Sequence, residues 1–105
     1  MRNYALTLIL KALKSQNTRL KRSLVSYNGL ETFIKALRDP DRHIRLTAVE
    51  VCAEICRNFD AGQKTFLRHR GGFEFVQLMK REEDDEEAVI VLLDFIYDLI
   101  YVLFI

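Results

Sequence analysis

The chain has 105 residues, half of them apolar and 30% charged, with a net charge of +1. That length allows one small domain, whose core hides a smaller share of its surface than a larger domain's would. The near-neutral total gives no reason to expect nucleic acid or an anionic membrane as partner. Charge is nonetheless segregated: Lys11, Lys14, Arg19, Lys21 and Arg22 fall within residues 11–22, and residues 82–87 read EEDDEE. One Pro and four Gly sit between apolar periodic runs, which predicts an all-α chain.

Residues 3–16 form the first predicted helix. Ala5, Leu6, Leu8, Ile9, Leu10, Ala12 and Leu13 make it apolar over more than half its circumference, with Tyr4, Thr7, Lys11 and Lys14 as the polar stripe. Such a helix needs partners on two sides. Its basic start and short apolar run make a poor signal peptide, because Lys11 interrupts early and no small-x-small cleavage site follows. A short helix with Leu20, Leu24 and Val25 inward follows from an N-cap at Asn17 or Thr18 and closes at Asn28-Gly29, residue types that tolerate the left-handed conformation. Leu30, Phe33, Ile34 and Leu37 give the next helix, stopped by Asp39-Pro40-Asp41. The helix over roughly 41–58 buries Ile44, Ala48, Val51, Cys52 and Ile55 and leaves His43, Thr47, Glu50, Glu54 and Arg57 on the opposite stripe. The short-short-long order then recurs: Phe66 and Leu67 inward before Gly71-Gly72, then Phe73, Phe75, Val76 and Met79, and a long helix from about Glu86.

The recurrence is an internal repeat. Residues 14–37 lie over residues 57–80 with Gly29 on Gly72, 43 positions apart, and residues 5–13 lie over 48–56 at the same offset. One residue is lost inside the second helix, where Glu31-Thr32-Phe33 faces Glu74-Phe75, and two are gained in the acidic loop. At the resulting offset of 44, Glu50 falls on Asp94 and Glu54 on Asp98. The predicted organisation is one long helix (3–16) followed by two three-helix units (17–59 and 60–105), each unit closing its core only by stacking on its neighbour.

Three helices per unit of about 42 residues, with a Gly corner before the second, resemble the armadillo repeat. GLETFIKALRDPDRHIRLTAVEVCAEICRNF (29–59) carries the likeness, through its Gly-apolar-x-x-apolar-apolar run, helix-breaking Asp-Pro and long third helix. Within that family the chain is most similar to the nucleotide exchange factors of the heat-shock chaperone ATPases (the DnaK and BiP class). Arg57-Asn58-Phe59, Gln63, Phe66-Leu67-Arg68, Gly71-Gly72-Phe73 and residues 93–99 (LDFIYDL) carry that resemblance. It implies an armadillo-like α-solenoid, no cofactor, and a concave surface that wraps the chaperone's nucleotide-binding domain and promotes ADP release. It implies the endoplasmic-reticulum lumen or the cytoplasm as compartment.

In an armadillo stack the third helices line the concave face. The implied partner-binding stripe is then Lys11 and Lys14; His43, Thr47, Glu50, Glu54 and Arg57; and Glu87, Val91, Asp94, Asp98 and Tyr101. Import-type armadillo proteins clamp peptides with Trp and Asn, whereas this chain has acids at those positions and no Trp. A two-by-two set of carboxylates favours a basic folded partner. The alternative is a generic armadillo scaffold for a peptide or folded partner in a signalling, trafficking or cytoskeletal complex.

Other chemistries find little footing. Cys52 and Cys56 lie four apart on one helix, a strained spacing for a disulfide and without the companions of a zinc site, so both read as buried thiols. His43 and His69 lack a Cys or Ser companion, and neither a nucleophile–base set nor a phosphate loop is present, so no enzyme is expected. The acidic run reads as a solvated loop before a helix N-terminus. Residues 88–105 reach the lower length for a membrane span, but Asp94 and Asp98 in the middle cost about 2.5–3.5 kcal/mol each there. A packed repeat helix is the better reading.

Overall fold

The computed structural model describes residues 2–15, 18–57 and 59–104, with side chains from Tyr4 to Tyr97. Among them are seven helices and no strand: α1 (Arg2–Lys14), α2 (Thr18–Ser26), α3 (Gly29–Ala36), α4 (Arg42–Cys56), α5 (Asp60–Arg68), α6 (Gly71–Arg81) and α7 (Glu86–Phe104). The all-helical expectation holds. Thr18 opens α2 and does not cap it, and Asn17 lies outside the described residues.

The boundaries follow from local chemistry. Asp39 Oδ1 accepts from the Asp41 N–H at 2.9 Å, turning the chain across Pro40. Asp41 then caps α4, its Oδ1 accepting from the His43 N–H at 2.8 Å and satisfying one of the orphan donors of the first turn. At the other end of α4 two side chains serve the last carbonyls. The Gln63 amide donates to the Cys56 oxygen at 2.9 Å, and the Lys21 ammonium donates to the Arg57 oxygen at 3.0 Å. Both place donors at the negative end of the helix dipole.

The corners between short helices correct the repeat register. The left-handed residues are Asn28 (φ 61°) and Arg70 (φ 64°), 42 apart, and the glycines that follow them are Gly29 and Gly71. Gly29 therefore corresponds to Gly71 and not to Gly72. Neither glycine has positive φ; each is small because the preceding helix crowds it. A Cβ on Gly29 would stand 3.0 Å from Leu24 Cδ2, and one on Gly71 would stand 2.4 Å from Phe66 Cε2. Leu24 and Phe66 are again 42 apart. The lost residue thus falls before the second short helix pair begins and not inside α6.

In the slab of 37 × 36 × 22 Å, the 22 Å depth is that of two helix layers. α4 lies between α1 and α7, while α5 meets α2 and α3. The buried set of α4 includes Ile44, Ala48 and Val51, and among the described side chains that of α7 is Ala88, Leu92 and Phe95, each pair separated by 44. Phe66, Phe75 and Phe95 join the three helices of the second unit, with ring centroids 4.5–5.3 Å apart. Edge-on and tilted pairs of this kind add about 0.5–1.5 kcal/mol each beyond the area they bury.

Three residues expected inward are exposed: Leu67, Phe73 and Val76. Leu67 and Val76 are the equivalents of Val25 and Ile34, which α5 covers from the second unit; no described element covers the outer side of α5 and α6 in the same way. Phe73 instead lies under the Arg70 guanidinium, 4.6 Å from the ring centroid.

The acidic run is more than a solvated loop. Arg42 bridges to it with Nε 2.5 Å from Asp85 Oδ2 and Nη2 3.1 Å from Asp85 Oδ1, and reaches Glu87 at 3.4 Å. Arg45 meets Glu82 at 2.5 Å and also donates to the carbonyls of Asp39 and Pro40. Arg38 meets Glu74 at 3.0 Å, and Arg81 donates to the Leu37 carbonyl at 3.2 Å. These contacts form a polar belt where the second unit docks on the first.

Candidate functional site

The last turn of α1, the second half of α4 and the middle of α7 line a groove of about 220 Å³. Its walls carry Lys14, Glu50, Glu54, Arg57, Val91 and Asp94, six of the residues assigned to the partner-binding stripe, together with Val49, Ala53 and Phe95. The three apolar residues escaped notice because they lie at the edge of the polar stripe. The spacing 49, 50, 53, 54 places four α4 residues on one helix face, with Arg57 at the C-cap just beyond, and was the available signal.

The remaining stripe residues are placed elsewhere. Lys11 and His43 are exposed but do not line the groove. Thr47 is buried, between buried Leu46 and Ala48, so it is withdrawn from any partner. Glu87 sits seven residues before Asp94, about 10 Å along α7, in the open acidic surface formed by residues 84–87, Ile90 and Val91. Asp98 and Tyr101 lie outside the described side chains.

The electrostatics differ from a bare acidic wall. Glu50 is 3.5 Å from Lys14 across the α1–α4 contact, and Glu54 is paired with Arg57 one turn on. Three acids therefore share the groove with two bases, and Asp94 is its most outward acid. The Lys14–Glu50 pair is largely solvated and adds at most about 1 kcal/mol to stability, whereas Glu54 is mostly enclosed beneath an exposed Arg57. The effect of both pairs is to fix long side chains in place around an apolar floor of Val49, Ala53, Val91 and Phe95. A groove this small and open falls below the volume usual for an enclosed small-molecule site.

The residues that line the groove include neither of the chain's two thiols. Cys52 and Cys56 are buried in α4 behind it, and burial raises both thiols, Cys56 to about 12. Cys56 Sγ leans on the Gly62 carbonyl at 3.7 Å. A thiol held protonated in this way is a packing group and not a nucleophile. Among the described residues no group of three His, Cys, Asp or Glu is suited to hold a metal, and no helix is long and apolar enough to cross a membrane.

Comparison with protein-family models, curated proteins and solved structures finds no match to this chain.

Proposed function

We propose that the chain is an armadillo-like protein-binding module whose working surface is the groove along α1, α4 and α7. The observation that carries this reading is the repeat in burial: Ile44, Ala48 and Val51 recur as Ala88, Leu92 and Phe95 at a constant spacing of 44, as stacked equivalent helices would have it. Stacking by such a rule leaves one row of long helices facing a partner. The groove between them gathers residues from three helices, which a partner would read together.

The resemblance of residues 57–80 and 93–99 names the partner of this proposal: the ATPase domain of a DnaK/BiP-class chaperone, with the module acting as an adenyl-nucleotide exchange factor. Binding would stabilise the open arrangement of the chaperone's two lobes, from which ADP leaves. The test is stopped-flow release of a fluorescent ADP analogue, with binding followed separately. The expected outcome is faster release at micromolar protein, lost with Asp94→Lys. A folded chain that neither binds the ATPase nor speeds release rules the exchange-factor reading out.

One observation favours a broader reading. Because Glu50 and Glu54 are already paired with Lys14 and Arg57, the groove has less free acid than the sequence suggests, and a partner of mixed surface fits it as well as a basic one. A generic armadillo scaffold, in a signalling, trafficking or cytoskeletal complex, would retain another partner in a pull-down and lose it with Glu50→Lys and Asp94→Lys.

A further inference from the structure

Most of the helices place charge as the helix dipole favours, with acids in the first turn or bases in the last. α3 begins with Glu31 and ends with Lys35, α5 begins with Asp60 and ends with Arg68, and α6 begins with Glu74 and ends with Lys80 and Arg81. α4 opens on bases, but Arg42 and Arg45 are paired with Asp85 and Glu82. α2 (TRLKRSLVS) breaks the rule without such pairing: Arg19, Lys21 and Arg22 crowd its first half, and it contains no acid. Lys21 is occupied by the Arg57 carbonyl. Arg19 and Arg22 are exposed, and among the described residues neither meets an acid. The acids of the helices packed against α2 are held elsewhere, Glu31 beside Lys35 and Asp60 beside Lys64. Two guanidinium groups one turn apart therefore repel each other toward the positive end of a helix, with no described acid to offset them.

The surroundings of these two charges are built from hydroxyls. Arg19 and Arg22 line a shallow concavity of about 360 Å³ together with Thr18, Ser23, Ser26 and Tyr27. The pairs 18–19, 22–23 and 26–27 recur every fourth position, so the six residues share one side of the helix. A phosphoryl group carries a charge of about −1.5 to −2 and three strong acceptor oxygens, which matches two uncompensated guanidinium groups; a single carboxylate offsets only one. Guanidinium forks and hydroxyls can donate to those oxygens together. We propose that this side of α2 binds a phosphorylated serine or threonine on a protein partner. A lipid headgroup is the poorer source: Leu20, Leu24 and Val25 are turned onto the core, and membrane binding needs buried apolar area as well as charge. The site shares no residue with the groove along α1, α4 and α7, so it stands or falls separately from the function proposed for that groove.

Titration of the isotope-labelled chain with a short phosphoserine peptide of otherwise uncharged sequence, followed by amide chemical shifts, tests it. Saturable shifts are expected within residues 18–27. The unphosphorylated peptide, and the same peptide with Glu in place of phosphoserine, should each bind at least about tenfold more weakly. Arg19→Gln and Arg22→Gln should each weaken the phosphopeptide by about tenfold. Both positions are exposed, and either change relieves the repulsion, so thermal unfolding of the free variants should come no earlier than that of the parent chain. Lost binding then reports the lost charge and not a lost fold. The proposal is overturned if the phosphopeptide gives no saturable shift, if the Glu peptide binds equally well, or if both arginine variants keep full affinity. It is also overturned if vesicles containing a phosphoinositide, or inorganic phosphate alone, shift these residues while the phosphopeptide does not, because the site then takes a lipid or an adventitious ion only.

Discussion

A Cβ placed on Gly71 would stand 2.4–2.5 Å from three carbons of the Phe66 ring, whereas one on Gly72 would meet only Leu67 Cδ2, at 3.9 Å. Gly71→Ala must displace a fully buried ring that packs against Phe75 and Phe95, an overpacking cost of about 1–3 kcal/mol. Gly72→Ala gains helix propensity without a clash and should range from neutral to about 1 kcal/mol stabilising. Urea midpoints of the two variants therefore move in different directions if the corner is at Gly71; equal losses would argue against it. The sequence shows two adjacent glycines but not which one faces an aromatic ring. That depends on how α5 and α6 meet.

Asp85 supplies a residue-scale test in pH. The hydrogen bonds it accepts from the Arg42 guanidinium and the Ala88 N–H hold its carboxyl down at about 2, against about 4 for an ordinary aspartate. A folded-state value below the unfolded one adds stability that is present above pH about 4 and lost as the pH falls toward 2. In urea titrations between pH 5 and 2, Asp85→Asn should remove that part of the acid-side slope. An unchanged slope would mean that the bridge to Arg42 contributes nothing in solution.

At the scale of elements, Arg45 and Glu82 form the most enclosed ion pair of the belt between the two units. Arg45 also holds the Asp39 and Pro40 carbonyls, so it ties the turn before α4 to the loop before α7. Arg45→Ala leaves Glu82 without its cation in a nearly buried place and should cost about 2–4 kcal/mol. In a double-mutant cycle with Glu82→Ala, a coupling of about 1–3 kcal/mol is expected. A coupling near zero would show that the belt only decorates the contact. The helices themselves were readable beforehand, since Asp-Pro-Asp, the apolar periodicity of Ile44 to Ile55 and the acidic start of α7 are local signals. The belt was not, because Arg42 and Asp85 lie 43 residues apart and meet only once one unit is laid on the other. The repeat length itself was the clue: opposite charges one unit apart, both beside a helix N-terminus.

At the scale of the molecule, the site was half legible. A polar stripe on the long helices located Lys14, Glu50, Glu54, Arg57, Val91 and Asp94, which the fold brings into one groove. It could not show that Thr47 is buried or that Lys14 and Arg57 neutralise two of the acids, because burial and pairing depend on neighbours from other helices. Exposed Leu67 and Val76 make the same point for the core: their period is that of inward residues, and only the stacking decides whether anything covers them.

The central claim, that the groove along α1, α4 and α7 receives a protein partner, is tested most directly by amide chemical-shift mapping. The labelled chain would be titrated with the ATPase domain of a DnaK- or BiP-class chaperone. The account predicts perturbations gathered on Lys14, Glu50, Ala53, Arg57, Val91 and Asp94. Perturbations confined to α2, α5 and α6, or none at saturating ATPase domain, would contradict it.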